Sequence, residues 1–293
     1  MTLEEQIRNC RKQAGISQEK MAELIGVSRQ AITKWENGTG TPDIANLVAI
    51  AGLFQISLDE LLLNEKREKK QSEYLYESIT EYDIDGIKSY DIKLGSAHTV
   101  MLCSSEGEKI RISLFSNIIK ELQSDYKIKI DDVKNRIDVD LQRLNGATEA
   151  DAKESMVIRI DIPQKYIGKV EVAVNAKKLE LFHMECESVE FDGKVTEVSL
   201  KGCKSVVEIN CNLDMSVDVV SHEGAIEINQ ISAISRIKVP FNFAFRAKRR
   251  GIGTTIYYET QGERVEDFSS EDADNYIELN GMKSELFITR EEA

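Results

Sequence analysis

Two sets of residues in this sequence have the types and spacing to do chemistry. The first is His183, Cys186, Cys203, Cys211 and His222. Thiolate sulfur with imidazole nitrogen makes a ligand set for zinc or copper, or a sensor of oxidation. Cys203 and His222 each stand four residues after the centre of an apolar–polar–apolar triplet, and Cys186 falls near the same place one repeat earlier. The three adjoin if those triplets stack. No Cys-x-x-Cys spacing occurs, however, and cysteines in cores commonly pack as small hydrophobes. No metal and no cofactor are expected; Cys186, Cys203 and His222 are the residues that would make a site. The second set is Glu171, Glu190, Glu208 and Glu227, each at a triplet centre. In one column about 4.8 Å apart, neighbours repel by roughly 0.9 kcal/mol in water, which a solvated face tolerates. A β-helix hydrolase or lyase needs acids in a cleft with basic or metal partners, and no such constellation is present. The sequence reads as a non-enzyme, and His98 carries no signal.

The elements that would position these groups are short and regularly spaced. Val170-Glu171-Val172, Leu179-Glu180-Leu181, Val189-Glu190-Phe191 and five further triplets, ending at Ile237-Lys238-Val239, recur at intervals of nine to eleven positions. Asp192-Gly193, Lys201-Gly202 and Glu223-Gly224 mark turns between them. Earlier triplets at 92–94, 100–102 and 110–112 place the start of the repeat near residue 90, with a disturbance over 115–155. Two three-residue strands per coil predict a β-solenoid of roughly 19 residues per turn. A hairpin-built antiparallel sandwich is the alternative, because strands every 8–12 residues also suit it. Residues 87–281, with Ile277-Glu278-Leu279-Asn280-Gly281 and the run from Lys283 to Ile288, resemble the adhesin-like β-solenoid domain of unknown function found in many bacterial proteins. Lys248-Arg249-Arg250 before Gly251 reads as a loop.

Charge is unevenly distributed. The chain of 293 residues has 38 basic and 51 acidic side chains, a formal net charge of -13. Residues 1–65 hold six basic and nine acidic groups, Lys66-Arg67-Glu68-Lys69-Lys70 is basic, and the remainder carries the excess acid. No run approaches the ~20 apolar residues of a membrane span, and the acidic start lacks a secretory pattern. Five unevenly spaced cysteines suit reduced thiols. A cytoplasmic protein without membrane contact is expected.

Positions 1–63 are punctuated as five short helices. Thr2 with Glu5, and Ser57 with Glu60, form capping boxes; Ser17 and Ser28 are further caps; Thr41-Pro42 opens a fourth helix. Leu3, Ile7, Cys10 and Ala14 fall at helical spacing, as do Met21, Leu24 and Ile25. Gly15 suits a helix stop, and Gly26 a turn with positive φ. Between Gln18 and Asn37, Ala22 is the small residue at a helix crossing, while Met21, Ile25, Val27, Ile32 and Trp35 fill the angle between helices. With Trp35-Glu36-Asn37-Gly38 and Thr41-Pro42, this segment resembles the helix-turn-helix of the lambda Cro and phage-repressor class, the XRE family, over residues 2–63.

That resemblance implies a second motif helix lying in the major groove of double-stranded DNA. Arg29, Gln30 and Thr33 then read base edges, since arginine pairs bidentately with guanine and glutamine with adenine. Gln18, Ser28, Lys34, Asn37 and Thr39 contact the backbone, and Trp35 is core. The expected organisation is a five-helix DNA-binding domain (1–63), a charged linker (64–78) and an all-β, solenoid-like domain for sensing, partner docking or oligomerisation (79–293). The expected function is regulation of transcription by a homodimer on an operator. A DNA-localised scaffold is the alternative, with a β-helix enzyme behind it.

Overall fold

The computed structural model describes residues 3–14, 16–54, 61 and 74–291. The chain divides into two compact units, Met1–Glu73 and Tyr74–Ala293.

In the first unit, helices α1 (Leu3–Gln13), α2 (Gln18–Ile25), α3 (Arg29–Glu36) and α4 (Ile44–Phe54) surround one core. Ile7, Met21, Ile32, Ile50 and Leu61 are completely buried there, with Trp35 nearly so. Leu24 departs from expectation and is half exposed. The inward face of α2 is set by Met21, Ala22 and Ile25, and at about 100° per residue Leu24 lies on the rim of that face. The start of α4 also differs. Asp43, not Thr41, is its cap, accepting hydrogen bonds from the Asn46 amide at its carboxylate and the Leu47 amide at its carbonyl, both at 2.9 Å. Pro42 lies just outside the helix. Thr2, Gly15, the Ser57–Glu60 box and residues 64–73 of the expected linker lie outside the described residues.

The second unit is a parallel β-solenoid whose strands turn corners, so the three-residue triplets are the centres of longer strands. β2 (Lys88–Ser105), β7 (Ile167–Phe182), β9 (Glu197–Asn210) and β10 (Met215–Ile231) each run through two faces; β8 (Glu185–Lys194) and β11 (Ile234–Val239) lie on one. Val170 stands beside Val189, Val189 beside Val207 and Val207 beside Ile226, so each coil takes eighteen or nineteen positions. On the second face Leu179, Val198, Val217 and Ile237 stack at steps of nineteen, nineteen and twenty positions. All eight side chains are buried, each stabilising the stack by about 1.5–3 kcal/mol. Parallel pairing along these strands excludes the antiparallel sandwich.

The disturbed stretch and the strands on either side of it close the first end of the stack. β5 (Arg136–Arg143) and β6 (Val157–Pro163) pair parallel with the two halves of β2. β4 (Tyr126–Val133) and β3 (Lys109–Ser116) then pair antiparallel with β5 and β6, and β1 (Tyr76–Asp83) antiparallel with β3. Short helices α5 (Leu122–Asp125) and α6 (Glu149–Ser155) connect them. β1 therefore begins inside the segment expected to be linker, because Tyr76 and Tyr82 pack against the solenoid core. At the other end the chain order reverses. β15 (Tyr276–Met282) and β16 (Glu285–Arg290) stack on β10 and β11, and the earlier strands β12 (Arg246–Ile252) and β13 (Thr255–Thr260) stack outside them. The hairpin partner β14 (Glu263–Val265) follows β13. Lys248-Arg249-Arg250 is thus strand rather than loop, held in register by Glu278, Leu279 and Asn280 of β15.

The expected glutamate column is present and longer than four. Asp131, Asp138, Asp91, Glu171, Glu190, Glu208, Glu227 and Glu278 are neighbours in register along one outer face. Burial, then the nearby Glu208, Asp192 and Glu171 charges, hold the Glu190 carboxyl above its ordinary range. Amides moderate the repulsion: Asn210 donates to Glu190 at 3.1 Å and Asn229 to Glu208 at 2.7 Å. Gly193 turns the corner beside this column with φ +144°, where a Cβ would stand 2.1 Å from the Val174 carbonyl oxygen. No side chain fits.

Cys203 and His222 are register neighbours, as the stacking of triplets implies. Their polar atoms turn to backbone. The Cys203 thiol donates to the Leu181 carbonyl at 3.4 Å, and His222 Nε2 lies 3.3 Å from the Ala225 carbonyl. Burial, reinforced by Cys203, pushes the Cys186 thiol up to about 12. Among the described residues no group of three or more His, Cys, Asp or Glu is arranged to hold a metal ion. Burial also lowers the His222 pKa, and among the described residues its Nδ1 has no hydrogen-bond partner. The unfolded chain therefore takes up this proton first, and the contribution of neutral His222 to stability is lost as pH falls below about 6.5. Thermal unfolding of the wild type is expected to drop more steeply between about pH 7.5 and 5.5 than that of His222→Gln. Parallel pH profiles of the two would contradict this.

Candidate nucleic-acid interface

The surface around α3 is built by local signals. Ser17 accepts from the Lys20 amide at 3.1 Å and Ser28 from the Ala31 amide at 3.2 Å, fixing the starts of α2 and α3. Gly26, at φ +74°, ends α2 in the left-handed region. Ala22, nearly fully buried, allows the two helices to approach, and Ile32 and Trp35 anchor α3 from below.

The end of α3 is held by charge. Glu36 is buried, with 1% of its side chain exposed, and Arg11 of α1 grips it with Nε to Oε1 at 2.6 Å and Nη2 to Oε2 at 2.9 Å. Gln18 Nε2 donates to the same carboxylate at 2.8 Å, and Arg8 donates to the Glu36 carbonyl and to Asn37 Oδ1. Burial alone would raise the Glu36 pKa, but the Arg11 and Gln18 hydrogen bonds with the Arg11 and Arg8 charges hold it below its ordinary value. The sequence reading missed Arg8, Arg11 and the structural use of Glu36. A signal existed, because Ile32, Trp35 and Glu36 share one helical face, and a carboxylate on an inward face requires a partner.

Arg29 and Gln30 project from the first turn of α3 and are exposed; Lys34, Asn37 and Thr39 lie at its far end, and Ser28 at its cap. Arg29 lies 3.9 Å from Glu19 with both side chains mostly in water, a pairing of little energy. Thr33 and Gln18 are tied together. The Thr33 hydroxyl stands 3.2 Å from Gln18 Oε1 and 3.0 Å from the Arg29 carbonyl. Gln18 is thus part of the Glu36 cluster in the free protein. The Thr39 amide donates to the Lys34 carbonyl at 3.0 Å, folding Thr39 back on the helix end.

Residues 7–61 match the helix-turn-helix family model. The N-terminal unit is a helix-turn-helix domain of the XRE type. Over 65 residues it is 40% identical to the HTH-type transcriptional regulator YqaE of Bacillus subtilis, covering 22% of this chain and 56% of that one. Over 61 residues it is 43% identical to the cryptic phage CTXphi transcriptional repressor RstR of Vibrio cholerae, covering 21% and 54%. The HTH-type transcriptional activator BcrR of Enterococcus faecalis is 39% identical over 66 residues, 22% of this chain and 32% of its own. The chain spans about half the length of the curated relatives it matches, or less. Among solved structures, the P22 c2 repressor in complex with synthetic operator 9T is 37% identical, covering 21% of this chain and 94% of that one, TM-score 0.21. A candidate cell adhesion protein from Clostridium sporogenes aligns with 73% of this chain and 99% of its own at 12% identity, TM-score 0.39.

The helix-turn-helix therefore rests on a buried ion pair whose loss has a distinctive pH signature. Arg11→Met removes the paired guanidinium and leaves the buried Glu36 only the Gln18 hydrogen bond and the Arg8 charge, which is expected to cost about 3–5 kcal/mol. In the wild type the lowered Glu36 pKa contributes stability above about pH 4.3 that is lost as pH falls. In Arg11→Met, burial raises the Glu36 pKa above that of the unfolded chain, so protonation relieves the penalty as pH falls toward about 4.3, and acidification from above that value should narrow the gap between the two proteins. Helical circular dichroism during thermal unfolding at a series of pH values measures both; a gap independent of pH would contradict the assignment.

Proposed function

We propose that this protein binds an operator in double-stranded DNA as a homodimer and regulates transcription from it, with α3 entering the major groove. The observation that carries this reading is the pairing of an exposed Arg29-Gln30 fork at the start of α3 with a helix fixed by its cap, its core and Glu36. A base-reading side chain needs such a rigid mount, because a bidentate pair tolerates little displacement. The relatives include both a repressor and an activator, so the reading extends to regulation and not to its direction.

The β-solenoid acts by contact rather than turnover, docking a partner, a second copy or an effector. Residues 71–293 hold 28 basic and 41 acidic groups, a balance that phosphate repels. A regulator of this kind works in the cytoplasm, where its DNA lies. Among the described residues no helix is long and apolar enough to cross a membrane.

Base reading and backbone positioning separate by mutation. Arg29→Ala is expected to cost about 1–3 kcal/mol on the operator and to relax preference at one base position per half-site. Lys34→Ala should weaken all sequences about equally and lower the salt slope by about one unit per protomer. Neither change touches the core, so both should leave unfolding unchanged, whereas Trp35→Ala should lose about 3–5 kcal/mol of core packing. Titrations of operator and scrambled DNA at two salt concentrations decide it. Equal weakening of both DNAs by Arg29→Ala would remove it from base reading.

A further inference from the structure

The outer face that carries the carboxylate column changes character along the stack. Glu190, Glu208, Glu227 and Glu278 follow one another in register, and the next position, on the terminal strand β12, is Lys248. Two positions along each strand the column reads Asn210, Asn229, Asn280 and then Arg250. Two further along, Ile231, Met282 and Ile252 stand side by side, 50%, 45% and 78% exposed. Beside Ile231 lies a shallow groove of about 530 Å³ whose lining includes Asn212, Leu213 and Asn229. Acid and base thus follow one another along the solenoid axis on one face, and the apolar ridge and the groove lie along its edge, at the corner that Gly193 and Gly251 turn. A surface that offers both halves of a charge pair and of a packing contact is complementary to itself.

We propose that a second copy of this chain docks on this face, antiparallel, about a two-fold axis running along β15. Such an axis keeps each column in place and reverses the order of coils. Ile252 then meets the second copy's Ile231 and its groove, Met282 meets its counterpart, and Lys248 meets the second copy's Glu227. The cations are already arranged for this. Lys248 lies 3.6 Å from the Tyr276 ring centroid, and the Tyr276 hydroxyl donates to Glu227 of its own copy. Glu278, on the axis itself, is neutralised within its own copy by Arg250 at 3.0 Å. Lys and Arg along β12 oppose edge-to-edge pairing of two copies, leaving face-to-face packing as the route.

The overlap spans three coils. At about 4.8 Å between strands and about 3.3 Å per residue along about seven residues, that is on the order of 300 Å² per copy. Contacts of that size are weak and transient, and strengthen when two half-sites on one duplex raise the effective concentration. The inference rests on the dimeric operator reading, supplying the surface through which the two copies meet.

Sedimentation equilibrium of the full chain tests it, with single half-site DNA binding measured alongside. The wild type is expected to dimerise reversibly, more weakly as salt rises. Ile252→Asp and Lys248→Glu should each lower the association constant about tenfold or more, and Lys248→Glu combined with Glu227→Lys should restore it to within about threefold. Thermal midpoints and half-site base preference should stay at wild-type values in all of them. Should Ile252→Asp loosen the terminal coil, the charge exchange alone carries the test. A monomeric wild type, association indifferent to the single changes, an unrestored double variant, or a different protein captured at this face without self-association would each overturn the proposal. None of those outcomes touches base preference on the half-site, whose absence would instead refute the operator reading.

Discussion

The front unit depends on a carboxylate that cannot reach water. Glu36 sits at the last turn of α3 with Arg11, Gln18 and Arg8 converging on it from α1 and α2. Three helices are thereby referred to one charged group, and α3 is fixed in position at its end as well as at its cap. A buried ion pair is weak evidence for stability, because desolvation offsets the attraction, but it tolerates few alternative geometries. Packing of Ile32 and Trp35 is non-directional, whereas the hydrogen bonds to Glu36 are directional and tie the end of α3, and with it the helix that carries Arg29 and Gln30, to α1 and α2.

The solenoid is governed by a different constraint, which is that each coil can bury its apolar side only against the next. The near-constant register step that carries Val170 to Val189, Val207 and Ile226 follows from that requirement. Both ends then need closure. The first is covered by the antiparallel strands β1, β3 and β4, and the second by the wedge of β15 and β16 beneath β12 and β13. The charged outer columns are a by-product of in-register stacking, and what varies along them is the sign of the charge. The solenoid can in this way carry a polarity that a single coil has no means to encode.

Much of this was legible in the residues. Caps, the glycine turn and the small crossing residue are local signals, so Ser17, Ser28, Gly26 and Ala22 were read correctly. Triplet spacing gave the coil length, because a period of two needs no knowledge of partners. What was missed depends on partners distant in sequence. Arg11 of α1 and Glu36 of α3 are brought together only by the packed bundle, and β12 takes its strand conformation from β15, which comes after it in the chain. A basic run bounded by glycine has no intrinsic mark of a strand. Asp43 displaced Thr41 as a cap because both are competent acceptors and the choice is made by where α4 meets the core.

The central claim is that α3 reads DNA bases from a fixed mount in each of two copies. Selection of duplexes from a random pool by the purified full chain tests it most directly. The account predicts enrichment of one motif with two inverted half-sites, their centres one helical turn apart, about 10–10.5 base pairs, or a multiple of it. Recovery of duplexes with no shared bases, at an affinity set by salt alone, would contradict it.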